Sequence, residues 1–161
     1  MLDARSVYVR AFGTAERADR EHVVLAFDRA SGALRWRALL HRSLGFHFTM
    51  PALAGNTIVY QSSDDRLYAL DTRTGRRLWV VTPGPTGGSP TIANGVIYLP
   101  NANGKLLALD LRSGRTLWSR QIGPKAEVVG GSVPSAAIAG GAIFAATKNG
   151  TVVALKPRPS R

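Results

Sequence analysis

Residues Ala69-Leu70-Asp71-Thr72-Arg73-Thr74-Gly75-Arg76-Arg77-Leu78-Trp79 decide how this chain is read. The same order occurs twice more. Ala26-Phe27-Asp28-Arg29-Ala30-Ser31-Gly32 leads to Trp36, and Ala108-Leu109-Asp110-Leu111-Arg112-Ser113-Gly114 leads to Trp118. The shared pattern is Ala-x-Asp-x-x-(Ser/Thr)-Gly-x-x-x-Trp, and it accounts for all three tryptophans of the chain. A fourth copy starts at Ala154-Leu155 and breaks at Lys156, where the Asp should stand. The step from Asp28 to Asp71 is 43 residues and from Asp71 to Asp110 it is 39. Periods near 40 fit propeller blades and also some helical repeats.

The residues between the copies choose strands. Thr57-Ile58-Val59-Tyr60, Gly95-Val96-Ile97-Tyr98 and Gly141-Ala142-Ile143-Phe144 occupy matching positions. Each follows a turn (Ala54-Gly55-Asn56, Ala93-Asn94-Gly95, Ala139-Gly140-Gly141) and precedes another (Asp64-Asp65, Asn103-Gly104, Asn149-Gly150). Asn-Gly between apolar runs is a strong hairpin signal, and β-branched and aromatic residues suit a pleated surface. One repeat is therefore expected to hold four short strands, near 50–54, 57–62, 66–72 and 77–82 in the second copy. Runs 66–71, 105–109 and 151–155 are apolar on both faces, which requires sheets stacked face to face, as radially packed blades are.

The signature residues have structural work to do. Asp28, Asp71 and Asp110 can accept hydrogen bonds from backbone N–H groups two or three residues on, which closes a turn. Gly32, Gly75 and Gly114 supply the positive φ such a turn uses. Trp36, Trp79 and Trp118 offer flat surfaces to wedge against a neighbouring blade.

In these residues the sequence resembles the pyrroloquinoline-quinone (PQQ) repeat, the blade of the quinoprotein-like β-propellers. The resemblance implies an all-β chain: an arc of three to four antiparallel four-stranded blades, covering residues 1–161 as a single partial propeller domain. The blades are expected near 7–40, 49–82, 89–122 and 134–156. The first should lack its innermost strand and the last its outer strand. Because such rings close with about eight blades, the chain reads as part of a larger propeller. Residues 13–22 are expected to form a short helical or disordered insert.

The resemblance implies one of two functions. The first is a non-catalytic binding or scaffolding module, without enzymatic activity or cofactor, whose partner is a protein, the remaining blades, or a second copy. The alternative is a fragment of a PQQ-dependent quinoprotein dehydrogenase, which would bring PQQ and Ca2+. Calcium wants six to eight oxygen ligands. The segments expected to line the central channel are His47-Phe48-Thr49-Met50-Pro51, Gly87-Gly88-Ser89-Pro90 and Gly130-Gly131-Ser132-Val133-Pro134, and they contain no Asp or Glu. The nearest carboxylate is Glu127, and the chain has no cysteine for a disulfide or a Cys-based zinc site. His47, between Phe46 and Phe48, reads first as a packed or solvated loop histidine. His22 and His41 have no spacing that pairs them as metal ligands. The Gly-Gly-Ser segments read as compact turns before anion nests. Asn149-Gly150-Thr151 fits a glycosylation sequon on a turn.

The formal charge is +11, from 17 Arg and 4 Lys against 10 acidic residues. No basic run reaches five residues, so a nucleic-acid partner is not expected. Arg29, Arg73 and Arg112 lie inside the signature turns, and Arg76, Arg77 and Arg115 follow their glycines. The repeat should place these six on one end of the molecule, as an arc facing an acidic protein or simply solvent. No apolar run approaches the roughly 20 residues that span a bilayer. The stretch after Met1 is not that of a secretory signal peptide. That leaves two locations open: the cytoplasm, or an extracytoplasmic one by family resemblance if the chain is a piece of a longer exported protein.

Overall fold

A computed structural model describes residues 1–12, 21–42, 49–85, 87–124, 135–146 and 150–156. All regular structure among them is antiparallel β, in four sheets that follow one another along the chain. Blade 1 contains β1 (Ser6–Phe12), β2 (Glu21–Asp28) and β3 (Leu34–Arg42). Blade 2 contains β4 (Ala52–Ala54), β5 (Thr57–Gln61), β6 (Leu67–Asp71) and β7 (Arg77–Val81). Blade 3 contains β8 (Thr91–Ala93), β9 (Val96–Pro100), β10 (Lys105–Asp110) and β11 (Thr116–Gln121). Blade 4 contains β12 (Ala137–Ala139), β13 (Ala142–Ala146) and β14 (Val152–Leu155). Strands pair in chain order within each blade. The expected insert at 13–22 is corrected at its end: Glu21 and His22 already pair in β2, opposite Arg42 and His41, while 13–20 lie outside the described residues.

Successive side chains of a strand point to opposite faces, so each blade buries one row against the blade before and one against the blade after. Ile58, Tyr60, Tyr68 and Leu70 of blade 2 meet Tyr8, Val24, Ala26, Trp36 and Leu40 of blade 1. The alternate residues Val59, Leu67 and Ala69 turn the other way, onto Ile97, Leu99, Leu107 and Leu109 of blade 3. Leu106 then meets Ala136, Ala145 and Leu155 of blade 4. The core is thus three slabs between consecutive blades; among the described residues no fourth slab joins blade 4 to blade 1. Full burial of one large apolar side chain is worth about 1.5–3 kcal/mol. The slabs are therefore what hold the arc together.

The two end blades are incomplete in complementary ways. β1 is the inner edge, met only by Met1 and Leu2 through the Leu2–Val7 bridge and the Tyr8 N to Met1 O bond, and β14 is the outer edge among the described residues. Val9, Leu34 and Leu39 stand exposed in blade 1, and Phe144 and Val152 in blade 4, with Val152 67% exposed. The apolar run at 151–155 is thus covered on one face only: Leu155 is buried, while Val152 and Ala154 face out.

Candidate functional site

The three signature turns are built alike. Asp28 Oδ1 accepts from the amides of Ala30 (3.1 Å) and Ser31 (3.0 Å) and from Ser31 Oγ (2.9 Å). Asp71 Oδ1 accepts from Arg73 N (3.0 Å), Thr74 N (2.9 Å) and Thr74 Oγ1 (2.9 Å). Asp110 Oδ1 accepts from Ser113 N (2.8 Å) and Ser113 Oγ (2.5 Å). These bonds favour the charged carboxylate. Asp28 is held below the ordinary range first by the Ser31 amide and hydroxyl, and Asp110 first by the Ser113 hydroxyl and amide. Gly32, Gly75 and Gly114 close the turns with φ of 71°, 71° and 72°.

The tryptophans dock one blade forward. Trp36 Nε1 donates to the Thr72 carbonyl in blade 2 at 2.9 Å, and Trp79 Nε1 donates to the Leu111 carbonyl in blade 3 at 3.0 Å. A Cβ built on Gly75 would lie 2.6 Å from Trp36 Cε3, and one on Gly114 would lie 2.8 Å from Trp79 Cε3. The glycine therefore has a second role, as the floor of a socket for the preceding blade's indole. Gly32 has the same φ and nothing within 4 Å, so blade 1 carries this socket open. Its turn also borders a pocket of 430 Å³ lined by Ala4, Arg5, Asp28, Arg29, Ala30 and Arg35. Trp118 is 39% exposed and packs against Tyr98 of its own blade; the segment of blade 4 equivalent to the Thr72 turn lies outside the described residues.

Turn amides tie each signature turn to the neighbouring hairpin, through Arg29 N to Arg5 O, Thr72 N to Asn56 O and Leu111 N to Gly95 O. Arg29, Arg73, Arg76, Arg112 and Arg115 are exposed beside these turns, at one end of successive blades. Arg77 departs from the expected arc. As the first residue of β7 it turns toward the seam with blade 1, where its guanidinium lies 5.1 Å from the Tyr68 ring centroid and donates to Leu40 O at 3.2 Å.

The inner segments link blade to blade. Met50 N donates to Ser89 Oγ (2.7 Å), and Thr91 Oγ1 to Ala136 O (2.6 Å). Gly87 is a contact point, because a Cβ there would sit 2.5 Å from Asn101 Cα. Gly88 N donates to Pro100 O at 2.9 Å, so this Gly-Gly-Ser segment spends that amide on the neighbouring strand and not on an anion. The candidates His47, Glu127, Asn149 and 130–134 lie outside the described residues. No group of three or more His, Cys, Asp or Glu able to hold a metal occurs among the described residues.

A polar cluster that sequence reasoning missed lies at the opposite end of the blade 1–blade 2 seam. His22 and His41 face each other across β2 and β3, with ring centroids 4.2 Å apart and planes 19° apart. His41 reaches into blade 2, hydrogen-bonding Ser62 through Nε2 and stacking at 6.4 Å on Tyr68. Arg10 lies 5.2 Å from the Tyr60 ring centroid, and burial pushes the Tyr60 phenol up to about 12. The two histidines are 19 residues apart, so only the β2–β3 register could have revealed the pair.

The repeated turn, the forward-docked indole and the face-to-face slabs recur in known proteins. The family described as outer membrane protein assembly factor BamB, a PQQ-repeat propeller family, matches residues 20–161. The chain belongs to that family. No curated protein matches it. Among solved structures it is similar to BamB from Moraxella catarrhalis, with 17% identity and a TM-score of 0.67 over 91% of this chain and 49% of that one. It is similar to the computationally designed Ika4 protein, with 15% identity and a TM-score of 0.64 over 92% of this chain and 91% of that one. It also resembles the quinohemoprotein alcohol dehydrogenase ADHIIG from Pseudomonas putida HK5, with 19% identity and a TM-score of 0.56 over 83% of this chain and 27% of that one. At these identities the similarity shows the BamB-like and quinoprotein-like fold. The chain spans about half the length of the BamB structure.

Proposed function

We propose that the chain is a non-catalytic binding and scaffolding arc of a larger propeller of the BamB family. The observation that carries this reading is the open socket at Gly32, beside two identical sockets that hold Trp36 and Trp79. A surface built to receive an indole and left uncovered is an interface in waiting. Val9, Leu34 and Leu39 around blade 1, and Phe144 and Val152 on blade 4, extend both ends as apolar faces. Faces of this kind, at several hundred Å2 each, mark interaction sites in soluble proteins. The occupant proposed for the blade 1 face is a further PQQ-type blade presenting a tryptophan. The exposed arginines Arg29, Arg73, Arg76, Arg112 and Arg115 add a positive rim suited to an acidic protein partner. The family's description as an outer membrane assembly factor supports an extracytoplasmic location. Among the described residues no helix is long and apolar enough to cross a membrane.

Light scattering on the 161-residue protein tests this reading. A stable, well-folded monomer at micromolar concentration overturns it, and self-association or capture of complementary blades supports it.

The quinoprotein fragment is the second reading, favoured by the similarity to ADHIIG. Its cofactor set needs oxygen ligands at the channel. The described inner segments 49–54, 87–93 and 135–139 offer alanines, glycines, hydroxyls and apolar side chains but no carboxylate. The described residues therefore do not fit a calcium–quinone site. Titration with the quinone and calcium, followed by tryptophan fluorescence and dye reduction, is the measurement. Tight saturable binding with turnover would reverse the ranking. Binding to DNA or RNA that falls steeply with salt would instead assign the arginine rim to nucleic acid.

A further inference from the structure

We propose that His22 and His41 form a proton-sensitive latch between blades 1 and 2, closed while both imidazoles are neutral and opened by acid. Blade 1 is held to blade 2 at two ends. At one, Trp36 is anchored on Thr72. At the other, the anchor is His41, through Ser62 and the Tyr68 ring, with Arg77 crossing back to Leu40 O. His22 is 1% exposed beneath a partly exposed His41, so the stack runs from the seam toward its rim. Protonating both rings would set two cations 4.2 Å apart, with the His22 ring shut off from solvent.

Burial opposes protonation of His41, and the charged groups around it pull both ways. Arg10 from β1 and Arg66 from the β5–β6 hairpin stand against a positive His41, while Asp64 of the same hairpin and the His41–Arg42 backbone favour it. Asp64 is already engaged by the Tyr68 hydroxyl at 2.6 Å and by Arg66 at 3.6 Å. Glu21, next to His22, is engaged by Arg37 and by Arg42. Tyr60 and Tyr68 from blade 2 are neutral near pH 7, since burial raises both phenols, and Arg77 adds a further positive charge on the far side of Tyr68. Burial is the largest influence on His41 and holds it below the ordinary imidazole value. A separated or unfolded blade 1 therefore takes up the proton first. The latch contribution is complete above about pH 6.5 and is lost as pH falls below it.

The test is hydrogen exchange read by mass spectrometry on the full chain at about pH 7.5 and about pH 5, compared at equal intrinsic exchange. Peptides of β1–β3 are expected to lose about tenfold protection relative to β8–β11 at the lower pH. The double variant His22→Phe and His41→Phe keeps the ring stack without a proton and should show no such pH-dependent loss. His47→Gln, at the remaining histidine, should behave as the wild type. Equal protection across blades in the wild type, or the same loss in the double variant, overturns the proposal. If the double variant does not fold, the imidazole proton resonances of the wild type decide: titration of His41 below about 6.5 supports the latch, and titration at or above it rules the latch out.

Discussion

Trp36 and Gly75 are a fitted pair across two blades: the glycine has no Cβ because the indole already occupies its place, 2.6 Å from where that atom would be. Trp79 and Gly114 repeat the fit at 2.8 Å. The turn needs glycine for its φ of 71°, and the interface needs it again for space.

Gly32 separates the two requirements, having the φ but no neighbour. Gly32→Ala should cost only the left-handed backbone, about 1–2 kcal/mol. Gly75→Ala should add an overpacking cost of about 1–3 kcal/mol as Trp36 is pushed off its socket. Urea midpoints of the two variants check this, and equal losses would mean that the socket fit contributes nothing.

Trp36→Phe removes the Nε1 donor to Thr72 O and part of a buried ring, and should destabilise by about 1–3 kcal/mol. Trp118→Phe should cost less than about 1 kcal/mol, because Trp118 is 39% exposed in this chain. Iodide quenching gives an independent reading: the Trp118→Phe protein should lose most of the quencher-accessible fluorescence, and the Trp36→Phe protein should keep it.

The turn carboxylates set an acid limit distinct from the histidine window. Asp28 and Asp110 have folded values below the ordinary carboxylate range, lowered first by the Ser31 amide and by the Ser113 hydroxyl. Their contribution is present above the unfolded value and is lost as pH falls through the folded one. Asp110→Asn keeps an acceptor but no titration. Its stability should change less than that of the wild type between about pH 4 and pH 2. An unchanged acid profile would show that the turn bonds do not couple to folding.

The open edge at β14 should drive self-association. Val152 is 67% exposed on an edge strand that, among the described residues, pairs with β13 alone. Val152→Lys places a charge on that edge, the usual means of blocking strand addition. Light scattering at micromolar concentration should show a lower mean mass for the variant, with a urea midpoint within about 0.5 kcal/mol of the parent. If mass is unchanged, association runs through the blade 1 face instead.

Much of the fold was legible because its signals are local. The Asp turn closes within four residues, the Gly supplies its φ at a fixed offset, and Trp follows at another fixed offset. What was not legible depends on register. His22 faces His41, and not Leu40, because the β2–β3 ladder slips by one residue between His22 and Val23. No composition or spacing announces such a bulge, and one residue of slip changes which side chains meet. Arg77 escaped for a related reason. It stands beside Arg76 in sequence, yet its position at the start of β7 turns it to the seam, over Tyr68.

The sequence by itself determined that this chain is a run of PQQ-type blades with a turn, a glycine and an indole in each of three copies, because those choices rest on hydrogen bonds and φ angles spanning a few residues. Only the tertiary structure decided what each copy does. It seats Trp36 and Trp79 in sockets, leaves Trp118 half in solvent and the Gly32 socket open, and joins two distant histidines in one seam. These outcomes depend on which blade stands next to which, and adjacency along an arc is a property of packing that identical local motifs cannot encode.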